Sequence, residues 1–171
     1  PLEDDAPNAS DVSSPVADEL ASIVGREHVL TDDASRELYS TDLSFKPGEI
    51  ADVVIQPGNS EELAACVKVA ATAGMPVVPR GGGMSYTVGY QPEKAHSILV
   101  DMRRMNKILE INTEDMYVTV ETGCTWKELY EALIEKDVRT PYFGPLSGMY
   151  ATIGGALSQN SLFLGSGQYN T

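Results

Sequence analysis

Apolar positions along this chain fall into alternating helical and extended rhythms, preceded by a stretch with neither. Residues 1–14, "PLEDDAPNASDVSS", mix acidic, proline and serine residues without a period. That composition predicts a disordered acidic tail, because it cannot bury enough apolar surface to order itself. From Pro15 a helical rhythm begins, with Val16, Leu20, Ile23 and Val24 on one face and Gly25 as the stop. A second short helix is expected from near Asp32, carrying Leu38. After Pro47-Gly48, "ADVVIQP" reads as a buried strand and "NSEELAACVKVAATAG" as a helix. Asn59 caps that helix with Glu62 three residues on, Leu63, Cys66, Val67 and Ala70 form its apolar stripe, and Gly74 ends it. "MPVVP" is the next strand, which completes a β-α-β unit. "SILVDM" and "MYVTVETG" are two further strands, the second alternating at Val118 and Val120. Thr125 and Glu128 then form a capping box, with Trp126, Leu129, Ala132 and Leu133 directed inward. No repeat of fixed period is visible.

Composition narrows the partners. A chain of 171 residues that is 42% apolar can supply a core. Its net charge of −13 is unevenly spread: residues 1–42 hold 11 acidic against 2 basic side chains, and residues 43–171 hold 14 against 10. An acidic chain without a basic run repels phosphate backbones, so nucleic acid is excluded as a partner and any anionic ligand needs local groups to hold it. No apolar run approaches the roughly 18 residues of a membrane helix, and no secretory pattern opens the chain, so a cytoplasmic location is expected. Cys66 and Cys124 match neither a disulfide framework nor a zinc spacing, and no metal site is predicted. Cys124 stands just before a helix start, a position that lowers a thiol pKa. His28 and His96 read as structural or surface residues.

The chemistry-bearing stretch is "PRGGGMSYTVG". Three successive glycines remove every Cβ from a short arc, so neighbouring N–H groups can converge on one anion, with phosphate the natural guest. Arg80 adds a positive charge, or serves as a structural ion-pair partner. Two common phosphate loops fail on inspection. Counting a dinucleotide fingerprint from Gly81 puts Tyr86 where the last glycine belongs, and the chain contains no Gly-Lys pair for a P-loop. A ligand-free glycine turn remains the plain alternative, weakened by the second glycine segment at Gly154-Gly155.

"PVVPRGGGMSYTVG" resembles the pyrophosphate loop of the FAD-binding PCMH-type domain family shared by vanillyl-alcohol oxidase, p-cresol methylhydroxylase, D-lactate dehydrogenase and the glycolate oxidase FAD subunit. "TVETGCTWKELYEAL", "GPLSGMYATIGGALSQN" and "GSGQYNT" resemble later flavin-site segments of that family in the same order. "ELYSTDLS" around Tyr39 leans toward the D-lactate and glycolate branch. The similarity runs from about Leu20 to the last residue.

The resemblance implies an α+β fold of two small α/β-type subdomains with FAD extended between them. Residues 15–171 would form the N-terminal part of that domain, leaving it incomplete, with the rest of it and a substrate-binding cap absent from this chain. Arg80, Gly81, Gly82, Gly83, Met84, Ser85 and Gly89 would surround the diphosphate and ribityl. Gly148, Thr152, Gly154, Gly155 and Asn160 would approach the diphosphate and isoalloxazine. Met84 stands where covalently flavinylated members carry histidine, which implies noncovalent FAD, and Asn170 stands where many relatives have glycine. No catalytic residue is assigned, because the base belongs to the missing part.

The implied activity is flavin-dependent oxidation of a small hydroxylated substrate, a 2-hydroxy acid such as D-lactate or glycolate, by hydride transfer to flavin N5. Two alternatives stay open. One is an aromatic-alcohol or phenol oxidase of the same superfamily, for which Tyr86, Tyr90, Tyr150 and Tyr169 offer aromatic surface. The other is a non-catalytic nucleotide-binding or assembly module. Association with a second copy or a partner chain is compatible with each.

Overall fold

The computed structural model describes residues 15–141 and 144–161. The acidic tail and "GSGQYNT" lie outside them. Within the described residues the order is α1 (Pro15–Val24), β1 (Val29–Leu30), α2 (Asp33–Ser40), β2 (Val53–Ile55), α3 (Ser60–Thr72), β3 (Val77–Arg80), β4 (Ile98–Asp101), β5 (Ile108–Asn112), β6 (Tyr117–Val120), α4 (Trp126–Ile134) and α5 (Ile153–Ser158).

The first sheet has the order β1-β2-β4-β3, with β2, β4 and β3 parallel and β1 antiparallel at one edge. Every residue of β2 and β4 is buried, as expected of strands covered on both faces, and all are apolar except Asp101 at the end of β4. Leu20 and Val24 of α1 and Cys66, Val69 and Ala70 of α3 pack on one face, against Val53, Ile55, Ile98 and Val100. On the other face Val54 and Leu99 meet Ala51, Leu30 and Tyr39. β3 is the exposed edge, which explains how it accommodates Pro79.

A second, smaller layer follows. β5 and β6 form an antiparallel hairpin, and Ile108, Ile111 and Val120 pack with Cys124, Leu129 and Leu133 near the start and along the inner face of α4.

The short helix expected from near Asp32 forms and carries Leu38, which is 67% exposed while Tyr39 and Ser40 face inward. Two sequence expectations need correcting. In α3 the buried stripe is Cys66, Val69 and Ala70, whereas Val67 is 41% exposed, because the buried face centres on Cys66 and the next residue in sequence lies about 100° around the helix from it. Cys124 is fully buried, and that burial pushes its thiol up to about 11 rather than down. The caps at Asn59 and Thr125 form as read, each accepting the N–H three residues on.

Candidate functional site: a glycine loop between two segments

β3 and β4 are parallel neighbours, so the chain between them must cross over the sheet, a task usually given to a helix. Here residues 81–97 make that crossover without a helix. The glycine loop therefore leaves the C-terminal end of β3 and lies at the strand ends where parallel sheets receive ligands.

Each glycine has its own reason. A Cβ on Gly81 would overlap the hydroxyl of Thr152, and one on Gly82 would overlap the backbone carbonyl of Tyr150. Gly83 has φ +70°, and a Cβ there would strike the Arg80 guanidinium. The first two glycines thus let the loop lie directly against residues 150–152, and the third turns the chain over Arg80. Thr152, buried and accepting the N–H of Gly155 at 3.2 Å, caps α5. A Cβ on Gly154 would collide with Thr122, whose carbonyl accepts the Gly154 N–H at 3.0 Å. Ile153 N–H donates to Cys124 and Trp126 N–H to Ala151, so residues 151–154 are stitched to the approach to α4.

Among the described residues, the N–H groups of Gly82, Gly83 and Met84 meet no protein acceptor. Further along, Thr87 N–H reaches Ser85 Oγ at 3.2 Å and Val88 N–H reaches Asp42 Oδ2 at 2.8 Å. Ser85 is buried, with its carbonyl accepting from Leu43 N–H at 3.1 Å.

Arg80 lies beneath this arc. Its guanidinium sits 4.9 Å from the ring centre of Tyr39 and 5.1 Å from that of Tyr90. The nearby buried carboxylate is already engaged. Asp101 accepts from Arg103 Nε at 2.9 Å and Nη2 at 2.8 Å, and from Gln56 Nε2 at 2.9 Å. Arg80 Nε is buried without a hydrogen-bond partner. Burial draws the Arg80 pKa below its ordinary value, with Tyr90 and Asp101 opposing the shift, yet an arginine so placed stays charged. The Tyr90 hydroxyl lies 2.9 Å from the carbonyl of Gly83 and 3.1 Å from that of Thr41.

The remaining expected site residues divide. Gly89 approaches Gln159 Nε2 and Ser85 Oγ, bringing the loop's far end to the C-terminal end of α5. Asn160, exposed with φ +49°, is the left-handed residue that ends α5, where Ser161 N–H returns to the Ala156 carbonyl. Gly148 is held on the α4 side, its carbonyl accepting from Lys127 N–H at 3.0 Å. There it lines a cavity of about 660 Å³ whose walls include Trp126, Leu129, Tyr130, Leu146 and Met149. Sequence reasoning missed Asp42 and Thr122, gave Tyr39 no place in the site, and read Tyr90 only as aromatic surface for a phenolic partner. Their partners lie far away in the chain, and no local pattern marks them.

The sequence matches the family described as "FAD binding domain" over residues 51–171. The chain belongs to that family. The FAD-binding domain is 30% identical over 150 residues to glycolate oxidase subunit GlcD of Bacillus subtilis (strain 168), covering 88% of this chain and 32% of that protein. It is 28% identical over 141 residues to the mitochondrial D-lactate dehydrogenase (cytochrome) of Kluyveromyces lactis, covering 81% of this chain and 24% of that protein. Among solved structures it resembles 4-ethylphenol oxidase from Gulosibacter chungangensis, with TM-score 0.73, 28% identity and coverage of 86% and 29%. An alkyldihydroxyacetonephosphate synthase gives TM-score 0.83 at 24% identity, covering 92% of this chain and 30% of that one. The chain spans about a third or less of the length of these relatives. The PCMH-type α/β fold is shared with them.

The residues present suit FAD. An unpartnered buried guanidinium nitrogen and N–H groups without protein acceptors are the donors that a diphosphate would satisfy. No group of three or more His, Cys, Asp or Glu among the described residues is arranged to hold a metal ion, and no helix among them is long and apolar enough to cross a membrane.

Proposed function

We propose that this domain holds noncovalent FAD in an oxidoreductase that acts on a small 2-hydroxy acid such as D-lactate or glycolate. The observation that carries the cofactor reading is the junction of the two glycine segments at the ends of the parallel strands, with Arg80 Nε and the loop N–H groups left without protein partners. Gly82, Gly83 and Met84 would offer N–H groups to the diphosphate, Ser85 its hydroxyl, and Arg80 its charge from below. Several such charge-assisted bonds, each worth about 1.5–3 kcal/mol, suffice to hold an anion on an acidic protein. Gly81 and Gly89 shape the loop, while Thr152, Gly154, Gly155 and Asn160 fix the second segment beside it. Gly148 would face the cofactor from the α4 side.

When bound, FAD supplies the hydride-accepting ring. The chain's own contribution is to bind and orient the diphosphate, so that the isoalloxazine is presented to a substrate site outside this segment. The substrate class rests on the similarity to the glycolate oxidase subunit and the D-lactate dehydrogenase. Similarity to a 4-ethylphenol oxidase supports a phenol as the second reading.

Anaerobic mixing of the intact gene product with D-lactate, glycolate or a 4-alkylphenol tests the assignment. Bleaching of flavin absorbance is expected with a 2-hydroxy acid, and bleaching by the phenol alone would reassign the substrate. Acid precipitation is expected to release the flavin into the supernatant. Colour retained by the pellet would contradict noncovalent binding.

A further inference from the structure

The cradle is fastened on its outer side by a short strap, residues 41–45, between α2 and β2. Four contacts join it to the glycine loop. Thr41 carbonyl meets the Tyr90 hydroxyl, Leu43 N–H donates to Ser85 carbonyl, Phe45 carbonyl accepts from Gln91 Nε2 at 2.7 Å, and Asp42 Oδ2 accepts from Val88 N–H at 2.8 Å. Asp42 is 6% exposed and forms no ion pair within 4 Å among the described residues. Its other oxygen accepts from Ser44 and Phe45 N–H, each at 2.8 Å. One carboxylate thus closes the strap's own turn with Oδ1 and grips the loop with Oδ2.

The gripped residue is unusual. Val88 has φ +56°, a left-handed conformation that a β-branched side chain disfavours by about 1–2 kcal/mol. Something must hold it there, and the carboxylate bond to its N–H is the polar contact made at that residue from outside the loop.

We infer that Asp42 is a positioning residue for the cofactor site, a latch that holds Val88 and hence the arc from Gly83 to Gly89 in the binding shape before FAD arrives. The inference rests on the FAD reading for its consequence, but the latch exists in the protein alone. Asn at this position has a single carbonyl oxygen, so it can keep the strap turn or grip Val88, not both, and it turns an N–H₂ toward the other set of donors.

The test uses the intact gene product stripped of flavin, as wild type, Asp42→Asn and Asp42→Asn with Val88→Gly. FAD affinity is followed by flavin fluorescence and amide protection by hydrogen exchange. Asp42→Asn is expected to weaken FAD binding about tenfold, the loss of one charge-assisted bond. Exchange should accelerate across residues 83–91 while β2 and β4 keep their protection. Glycine at position 88 adopts φ +56° without side-chain strain, so the double variant should recover part of the lost affinity.

Wild-type affinity in Asp42→Asn would overturn the inference. So would loss of protection throughout β2 and β4, which would make Asp42 a general fold element, or absence of any recovery in the double variant. Should the wild-type protein bind no FAD, the proposed function fails separately. Hydrogen exchange still decides the latch: local acceleration at residues 83–91 upholds it, and unchanged exchange overturns it.

Discussion

The backbone carbonyl of Tyr150 fills the space where a side chain on Gly82 would stand. Glycine is therefore required at position 82 by the protein itself, as the point where two distant segments touch. Gly82→Ala is expected to lower the unfolding midpoint of the flavin-free protein, at a cost of at least about 1–3 kcal/mol typical of overpacking, and to lower flavin content with it. Gly48→Ala is the control, since a Cβ there meets nothing within 4 Å. Equal melting curves for the two variants would refute a protein-imposed requirement.

Arg80 separates stability from binding. Its guanidinium is stacked between Tyr39 and Tyr90, yet Nε has no partner, and an unpartnered buried polar group is costly. Arg80→Met keeps much of the side-chain volume and removes that group. The flavin-free variant is expected to melt within about 1 kcal/mol of wild type, because the lost cation–π contacts, about 0.5–2 kcal/mol, are offset by relief of the orphan. FAD affinity should fall tenfold or more. An affinity equal to wild type in a titration would show that the cation does not face the ligand.

Both thiols are buried and raised to about 11 by desolvation. Cys66 and Cys124 should resist a thiol reagent at pH 8 in the folded protein and react promptly in denaturant, because the thiolate is the reactive form. Their linkage acts at alkaline pH. The unfolded chain ionises its thiols near pH 9 while the folded one does not, so stability is retained below that pH and declines between about 9 and 11. Fast labelling of either cysteine at pH 8 would contradict the burial.

Asp42 acts at the opposite end of the scale. Its carboxylate is held below its ordinary pKa, chiefly by the Phe45 N–H, with the Ser44 and Val88 N–H groups and the Gln91 amide adding to the effect and burial opposing it. The titratable neighbours are Tyr90, whose own pKa is raised, and Arg80 behind the Tyr90 ring. Since the folded pKa lies under the unfolded one, the stabilisation is present above about pH 4 and is lost as pH falls through the folded value. Acid unfolding of Asp42→Asn, normalised to its stability at pH 7, should therefore be shallower than that of wild type. Parallel curves would remove Asp42 from the acid response.

What the sequence made legible was local. Asn59 and Thr125 cap their helices through bonds that span three residues, and the β-α-β rhythm through α3 follows from one-turn periodicity. β5 went unread because a bulge between Ile108 and Glu110 breaks the two-residue alternation and Leu109 faces solvent. Both glycine segments were visible as glycines, but the reasons for Gly81 and Gly82 sit on Thr152 and Tyr150, which no spacing rule connects to them. Asp42 and Tyr90 were hidden for the same reason. Their bonds to Val88 and to Thr41 cross from one loop to another.

Placing β4 between β2 and β3 has a consequence for the order in which the protein assembles. The most buried strand is tethered to its neighbour by residues 81–97, a connection with no helix to form early on its own. Closing such a connection costs chain entropy before any strand contact rewards it. The central strand is therefore expected to dock late, with the glycine loop taking its final shape in the same event that completes the sheet. On this ordering a newly synthesised chain would acquire its glycine loop as the last stitch of the sheet rather than as an accessory folded afterwards.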